Sequence, residues 1–176
     1  MLLDDVLPSW DVRQVHRIGV DAAPDRAYRS VRRLDLGGSP INRVLFSVRG
    51  MGRRGGLKLG DLMNRGFILL AEDPPRELVL GLVARPWTLM GGISPLDPEG
   101  FRRFDQPGYA RIGWNFLVEP RGPVSRLTTE TRIRCTDDVS RRRFRWYWRL
   151  IGPFSGVVRK EALLLIKRDA ERVRSA

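Results

Sequence analysis

The sequence is poor in the residues that most often carry metal and redox chemistry. Cysteine occurs once, at Cys135, and histidine once, at His16. A single thiol excludes an internal disulfide, and one His with one Cys leaves no zinc-ligand cluster. A Ser-His-Asp triad would have to use His16, and no Gly-x-Ser-x-Gly elbow accompanies it, since Gly38-Ser39-Pro40 and Ile93-Ser94-Pro95 do not fit. Lysine is scarce: Lys58, Lys160 and Lys167 are the only three, and Lys58, between Leu57 and Leu59, belongs to no Walker loop. No apolar run approaches the roughly 20 residues that span a bilayer as a helix. Met1-Leu2-Leu3-Asp4-Asp5 carries acid where a secretory leader carries base, so a cytoplasmic location is expected. Acid is outnumbered overall, with 32 Lys and Arg against 20 Asp and Glu and a net charge of +12. Such a charge draws nucleic acid, anionic membrane or acidic ligands, but arginine-rich composition also accounts for it.

What is present is periodicity. The 176 residues, 42% of them hydrophobic, suffice for one domain over 1–176, with residues 1–10 as an N-terminal arm. Val12, Gln14, His16, Ile18 and Val20 alternate on one face of a strand. Pro24 and Asp25 then open a helix, and Ser39-Pro40 opens another. A glycine-rich loop follows over 50–66, within which 57–63 reads equally as a helical turn or a strand. Strands are expected at 67–72 and 77–85, joined by Asp73-Pro74-Pro75-Arg76, with a weaker one at 87–93. Residues 95–107 read as irregular, with one helical turn at 98–104. Two further strands, 109–119 and 125–135, alternate clearly. Ala110, Ile112, Trp114, Phe116 and Val118 share a face of the first, and Leu127, Thr129, Thr131, Ile133 and Cys135 a face of the second. Arg126, Thr128, Glu130, Arg132 and Arg134 read as a solvated face.

The last stretch, 136–172, is helical by spacing. Phe144, Tyr147, Trp148 and Ile151, then Val158, Ala162, Leu165 and Ile166, recur at i, i+3, i+4, i+7. An uninterrupted helix of that length runs on the order of 50 Å, so a sheet must lie along it. Gly152-Pro153 predicts a bend or break within it. The order of elements, without strand–helix alternation, indicates an α+β fold rather than a parallel α/β sheet.

This order resembles the START-like superfamily (SRPBCC), which includes the birch-pollen-allergen fold and the aromatic polyketide cyclases. The resemblance rests on Ile18-Gly19-Val20 followed by Ala23-Pro24-Asp25-Arg26-Ala27-Tyr28, the hairpin around Glu72-Asp73-Pro74-Pro75-Arg76-Glu77, the last strand, and the terminal helix. It implies a helix-grip fold: a curved antiparallel sheet wrapped around a long C-terminal helix, with two short helices after strand one. It also implies an apolar cavity between sheet and helix and a small, largely apolar, lipid- or polyketide-like ligand. No single catalytic motif is shared across the family, so none is carried over, and no cofactor is expected. A cyclase or hydrolase using the same cavity, and a basic nucleic-acid or membrane-associated module, are the alternatives.

The candidate ligand-cavity residues are His16, Trp87, Trp114, Phe116, Thr129, Thr131, Phe144, Tyr147 and Trp148. The aromatics offer broad apolar contact, and Thr129, Thr131, Tyr147 and Asn115 offer orienting polar groups, although Asn115 lies on the face opposite Trp114. His16 is the one residue placed for acid–base work. Gly50-Met51-Gly52-Arg53-Arg54-Gly55 matches a dinucleotide fingerprint, but no βαβ unit surrounds it. Arg141, Arg142, Arg143, Arg145 and Arg149 crowd the start of the last helix. Its apolar stripe favours aromatics inward and arginines in water over nucleic-acid or membrane docking. Trp146 is off that stripe. Arg85, before Pro86-Trp87, could meet an acidic ligand group at a cavity mouth.

Overall fold

The alternating segments build a curved, five-stranded antiparallel sheet in the computed structural model, which describes residues 1–48, 57–88 and 91–172. The strands are β1 (Val12–Val20), β2 (Ile68–Asp73), β3 (Glu77–Ala84), β4 (Ala110–Arg121) and β5 (Val124–Cys135), in spatial order β1-β5-β4-β3-β2. The helices are α1 (Leu2–Val6), α2 (Pro24–Arg32), α3 (Pro40–Val48), α4 (Leu59–Met63), α5 (Pro98–Arg103) and α6 (Asp138–Glu171). This is the expected α+β architecture, with short helices after strand one and a long C-terminal helix packed on the sheet. The segment left open at 57–63 is α4, started by Asp61, whose carboxylate accepts from the Lys58 backbone N–H at 3.0 Å. The weak strand at 87–93 does not form among the described residues. Thr88 N–H closes a turn onto the Arg85 carbonyl, and Gly91 and Gly92 hold φ of 70° and 47°, which no ladder accommodates. The Gly50–Gly55 fingerprint lies outside the described residues.

The sheet is covered on both faces, which corrects the reading of β5. On the inner face, Leu78, Leu80, Trp114, Phe116, Val118 and Leu127 pack against α2 and the second half of α6. On the outer face, Ile68, Leu70, Val79 and Val83 pack against Leu3 and Val6 of α1 and Phe101 of α5. Residues 1–10, expected as an arm, therefore contain a docked helix. Two paired glycines make room on this face: a Cβ on Gly113 would come within 2.9 Å of Leu3, and one on Gly81 within 2.3 Å of Leu70.

Glu130 and Arg132, expected in solvent, are buried beneath α1. They survive there because every charge is answered. Arg132 donates to Glu130 at 2.6 Å, to Asp4 at 2.6 Å and to the Leu7 carbonyl at 3.0 Å. Glu130 also accepts from Arg13 at 2.7 and 3.0 Å. Burial alone would raise the pKa of Glu130, but hydrogen bonds from Arg13 and Arg132 outweigh it and hold the carboxyl below its ordinary range. Glu77, also buried, accepts from the Leu2 and Leu3 N–H groups and from Asn115 Nδ2. The Asn115 side-chain carbonyl in turn accepts from the Glu130 N–H. The indole of Trp10 closes the cluster, lying 4.3 Å from the Arg132 guanidinium.

α6 runs unbroken for 34 residues, on the order of 50 Å, through the expected break at Pro153. Two local features explain this. Gly152 has no Cβ for the proline ring to strike. Pro153 and Arg149 are both exposed, so water can reach the Arg149 carbonyl that the proline leaves without a donor. The helix begins at Asp137, whose carboxylate accepts from the N–H groups of Ser140 and Gly108 and from the Ser140 hydroxyl, and is held well below the usual carboxylate range. Among the described residues no helix is long and apolar enough to cross a membrane.

Candidate functional site

Strand register sorts the expected site residues into rows on the inner face. One row reads Gln14, Thr131, Trp114 and Leu80; the next reads His16, Thr129, Phe116 and Leu78. These rows bring together His16, Trp114, Phe116, Thr129 and Thr131. The remaining expected residues form a second group near the N-terminal end of α6. Phe144 stacks on Trp148 at 5.4 Å and meets Tyr147 at 5.8 Å and Trp87 edge-on at 6.3 Å. They close over Ala110, Ile133 and Cys135. Val12, Ile133 and Ile112, one row beyond Gln14, pack with this second group, which is a cluster distinct from the one that holds Trp114 and Phe116.

Several of these side chains already have local partners. Trp114 Nε1–H donates to Thr129 Oγ1 at 2.7 Å, and the Thr129 hydroxyl donates to the Asn115 carbonyl at 2.8 Å. Phe116 is wholly buried between Leu78 and Thr129. Asn115, on the opposite face, belongs to the Glu77–Glu130 cluster. Arg85 stacks on Tyr109 at 4.1 Å. Cys135 is buried, and burial first, then the nearby Asp11 carboxylate, push its thiol up to about 12. It should therefore resist a soluble disulfide reagent at pH 8 in the native state and react within minutes in denaturant. Comparable rates in both states would show an open path to it.

The residue that sequence reasoning missed is Arg159. It points from α6 onto the sheet, donating its Nε–H to Thr131 Oγ1, with the guanidinium 4.9 Å from the Trp114 ring centre. No carboxylate among the described residues pairs with it. Burial pulls its pKa down to about 10. One turn before it, Gly156 lets the helix approach β1: a Cβ there would stand 3.0 Å from Gln14 Nε2 and 3.7 Å from His16 Nε2. Gln14 Oε1 and His16 Nε2 are both shielded from solvent without a hydrogen-bond partner among the described residues. The His16 pKa is depressed, by burial first and then by the positive charges of Lys160 and Arg159. The cluster thus has one uncompensated cation, one neutral imidazole and one side-chain amide under a close-approaching helix.

An open groove of about 540 Å³ lies at another place, between the start of α2, the β2–β3 turn and the end of β4, and none of the expected site residues lines it. Among the described residues no group of three or more His, Cys, Asp or Glu is placed to hold a metal ion.

No family model matches the chain, and no curated protein matches it. A solved structure, that of TTHA0849 from Thermus thermophilus, aligns over 94% of this chain and 100% of its own, at 13% identity and a TM-score of 0.40. An antiparallel sheet with a C-terminal helix is compatible with a helix-grip fold. A likeness this distant carries no argument about activity.

Proposed function

We propose that this chain is a START-like (SRPBCC) binder of a small, largely apolar molecule bearing one acid group, held between the inner sheet face and α6. The observation that supports the reading is Arg159, an inward cation with no carboxylate beside it among the described residues, bonded to Thr131 in the same part of the sheet as the unpartnered polar atoms of Gln14 and His16. An uncompensated cation costs stability unless an anion answers it. A ligand carboxylate would accept from the guanidinium, and its apolar body would have to part α6 from the Trp114 side of the sheet, since Trp114 and Phe116 are buried in the ligand-free protein. The cyclase or hydrolase alternative draws less support. The Thr129 hydroxyl is engaged by Trp114 and Asn115, Thr131 accepts from Arg159, and His16 Nε2 meets no hydroxyl to activate.

Paired ligands test this. A long-chain fatty acid should bind about 10–100-fold more tightly than the alcohol of equal length, the worth of a charge-assisted hydrogen bond. Native mass spectrometry of gently purified protein should show a bound acid. Equal affinity for acid and alcohol, or no binding of either, would overturn the reading.

The sign of the pH dependence follows from His16. Its native pKa lies below the ordinary 6.5, so in the ligand-free protein the unfolded state takes the proton first. Stability is full above about pH 6.5 and falls as the pH drops below it. A bound carboxylate favours the imidazolium, so acid binding should tighten over the same descent. A flat affinity profile from pH 7.5 to about 5, for a ligand that stays ionised throughout, would separate His16 from the ligand.

A further inference from the structure

The outer face of α6 does not suit water. Val139, Trp146, Leu150, Phe154 and Val157 are 47%, 69%, 73%, 53% and 38% exposed. At 3.6 residues per turn they fall within roughly 80° of arc, opposite the face that buries Phe144, Ala162 and Ile166. Single exposed apolar residues are ordinary; five along one stripe of one helix mark a surface that is covered in use. Trp146, the residue off the expected stripe, belongs to this one.

Charge identifies the cover. From Val139 to Lys160 the sequence holds six arginines, one lysine and no acid. Arg141 is engaged by Asp11 and Asp138, and Arg159 points inward. Arg142 and Arg149 line one edge of the apolar stripe, Arg143 lies within it, and the three make no ion pair among the described residues, Arg149 lying 4.7 Å over the Trp146 ring. A second copy meeting this face would bring arginine rows together with no carboxylate to answer them. A nucleic acid would satisfy the arginines, but Leu150, Val139 and Val157 offer its bases nothing to stack on. An apolar stripe that carries two aromatics, with arginines in it and along one edge, matches the interface of an anionic bilayer.

We propose that this face of α6 docks in the plane of an anionic lipid surface. Trp146, Leu150 and Phe154 enter the headgroup–acyl boundary, and Arg142, Arg143 and Arg149 meet lipid phosphates or other anionic headgroups. This does not depend on the acid-binding reading, since it uses the opposite side of the helix.

The test is co-sedimentation of the full chain with phosphatidylcholine vesicles, with and without about one third phosphatidylglycerol. Binding should be at least about tenfold tighter to the anionic vesicles and should weaken with salt. Leu150→Ser with Phe154→Ser should lose about tenfold or more while leaving the melting temperature unchanged, because both side chains are exposed. Arg142→Gln with Arg149→Gln should remove most of the preference for anionic lipid and leave the residual affinity for neutral vesicles. Failure of the wild type to bind anionic vesicles would overturn the proposal, as would indifference to the serine pair. Salt-sensitive retention on RNA that survives the serine pair, or a dimer dissolved by it, would overturn it in favour of those partners.

Discussion

Replacing Arg132 by alanine should destabilise the fold by about 3–5 kcal/mol, the range for breaking a buried ion pair from one side. At this chain length the loss lowers the melting temperature on the order of 10 °C. The magnitude follows from what is left behind. Asp4 loses the guanidinium that is the main cause of its lowered pKa, the Leu7 carbonyl loses its donor, and Glu130 keeps only Arg13. α1 then has little to hold its C-terminal end, and its amide hydrogens should exchange faster than those of the sheet. The pH profile separates this from simple loss of packing. Asp4 and Glu130 have depressed native pKa values, so their stabilisation is present above about pH 4 and is lost as the pH falls through the native values. In Arg132→Ala that acid limb should flatten. Replacing Arg132 and Glu130 together by methionine and leucine should cost less than Arg132→Ala alone, since the only carboxylate then left without Arg132 is Asp4, whose side chain is half exposed to water. A loss below about 1 kcal/mol for Arg132→Ala would mean that the outer face tolerates water.

Arg159→Met should do the opposite in the ligand-free protein and raise its melting temperature. The cation is partly buried and has no counter-charge among the described residues, and methionine is close to it in length. The same change should weaken binding of a fatty acid by about 10–100-fold while altering alcohol binding by less than about threefold. Stability gained and acid affinity lost at one residue is the mark of a functional charge held at a structural cost. If Arg159→Met destabilises as Arg132→Ala does, Arg159 is a structural residue and the acid-binding reading fails.

The strands and α6 were legible because their apolar periods are long and regular. The inner face of β4 and the helix start at Pro24 follow directly from alternation and from proline at the first helical position. The outer face was not legible, because a row of Arg, Thr and Glu on an alternating strand looks the same whether water or a paired carboxylate answers it. Leu3, Val6 and Leu7 did carry a signal, at i, i+3 and i+4, but so short a stretch is too little to separate a helix from an arm. Arg159 was hidden differently. The residues that α6 turns inward include Gly152, Gly156, Leu163, Ile166 and Ala170, and Arg159 falls in the gap between Gly156 and Leu163. Its place in that folded row is interior while its charge announces a surface one. In the sequence, the apolar stripe Val158, Ala162, Leu165 and Ile166 leaves Arg159 to the water side, and its charge agrees with that placement.

The joint between α1 and β5 also has a consequence in time. Asp4 and Arg132 are 128 residues apart, and Leu7 and Arg132 are 125. During synthesis α1 emerges long before the strand that completes its seat, and at ordinary elongation rates it waits many seconds. The outer side of the sheet therefore cannot be sealed until β5 is made. A helper that shields Leu3, Val6 and Leu7 through that interval should improve the yield of folded chain.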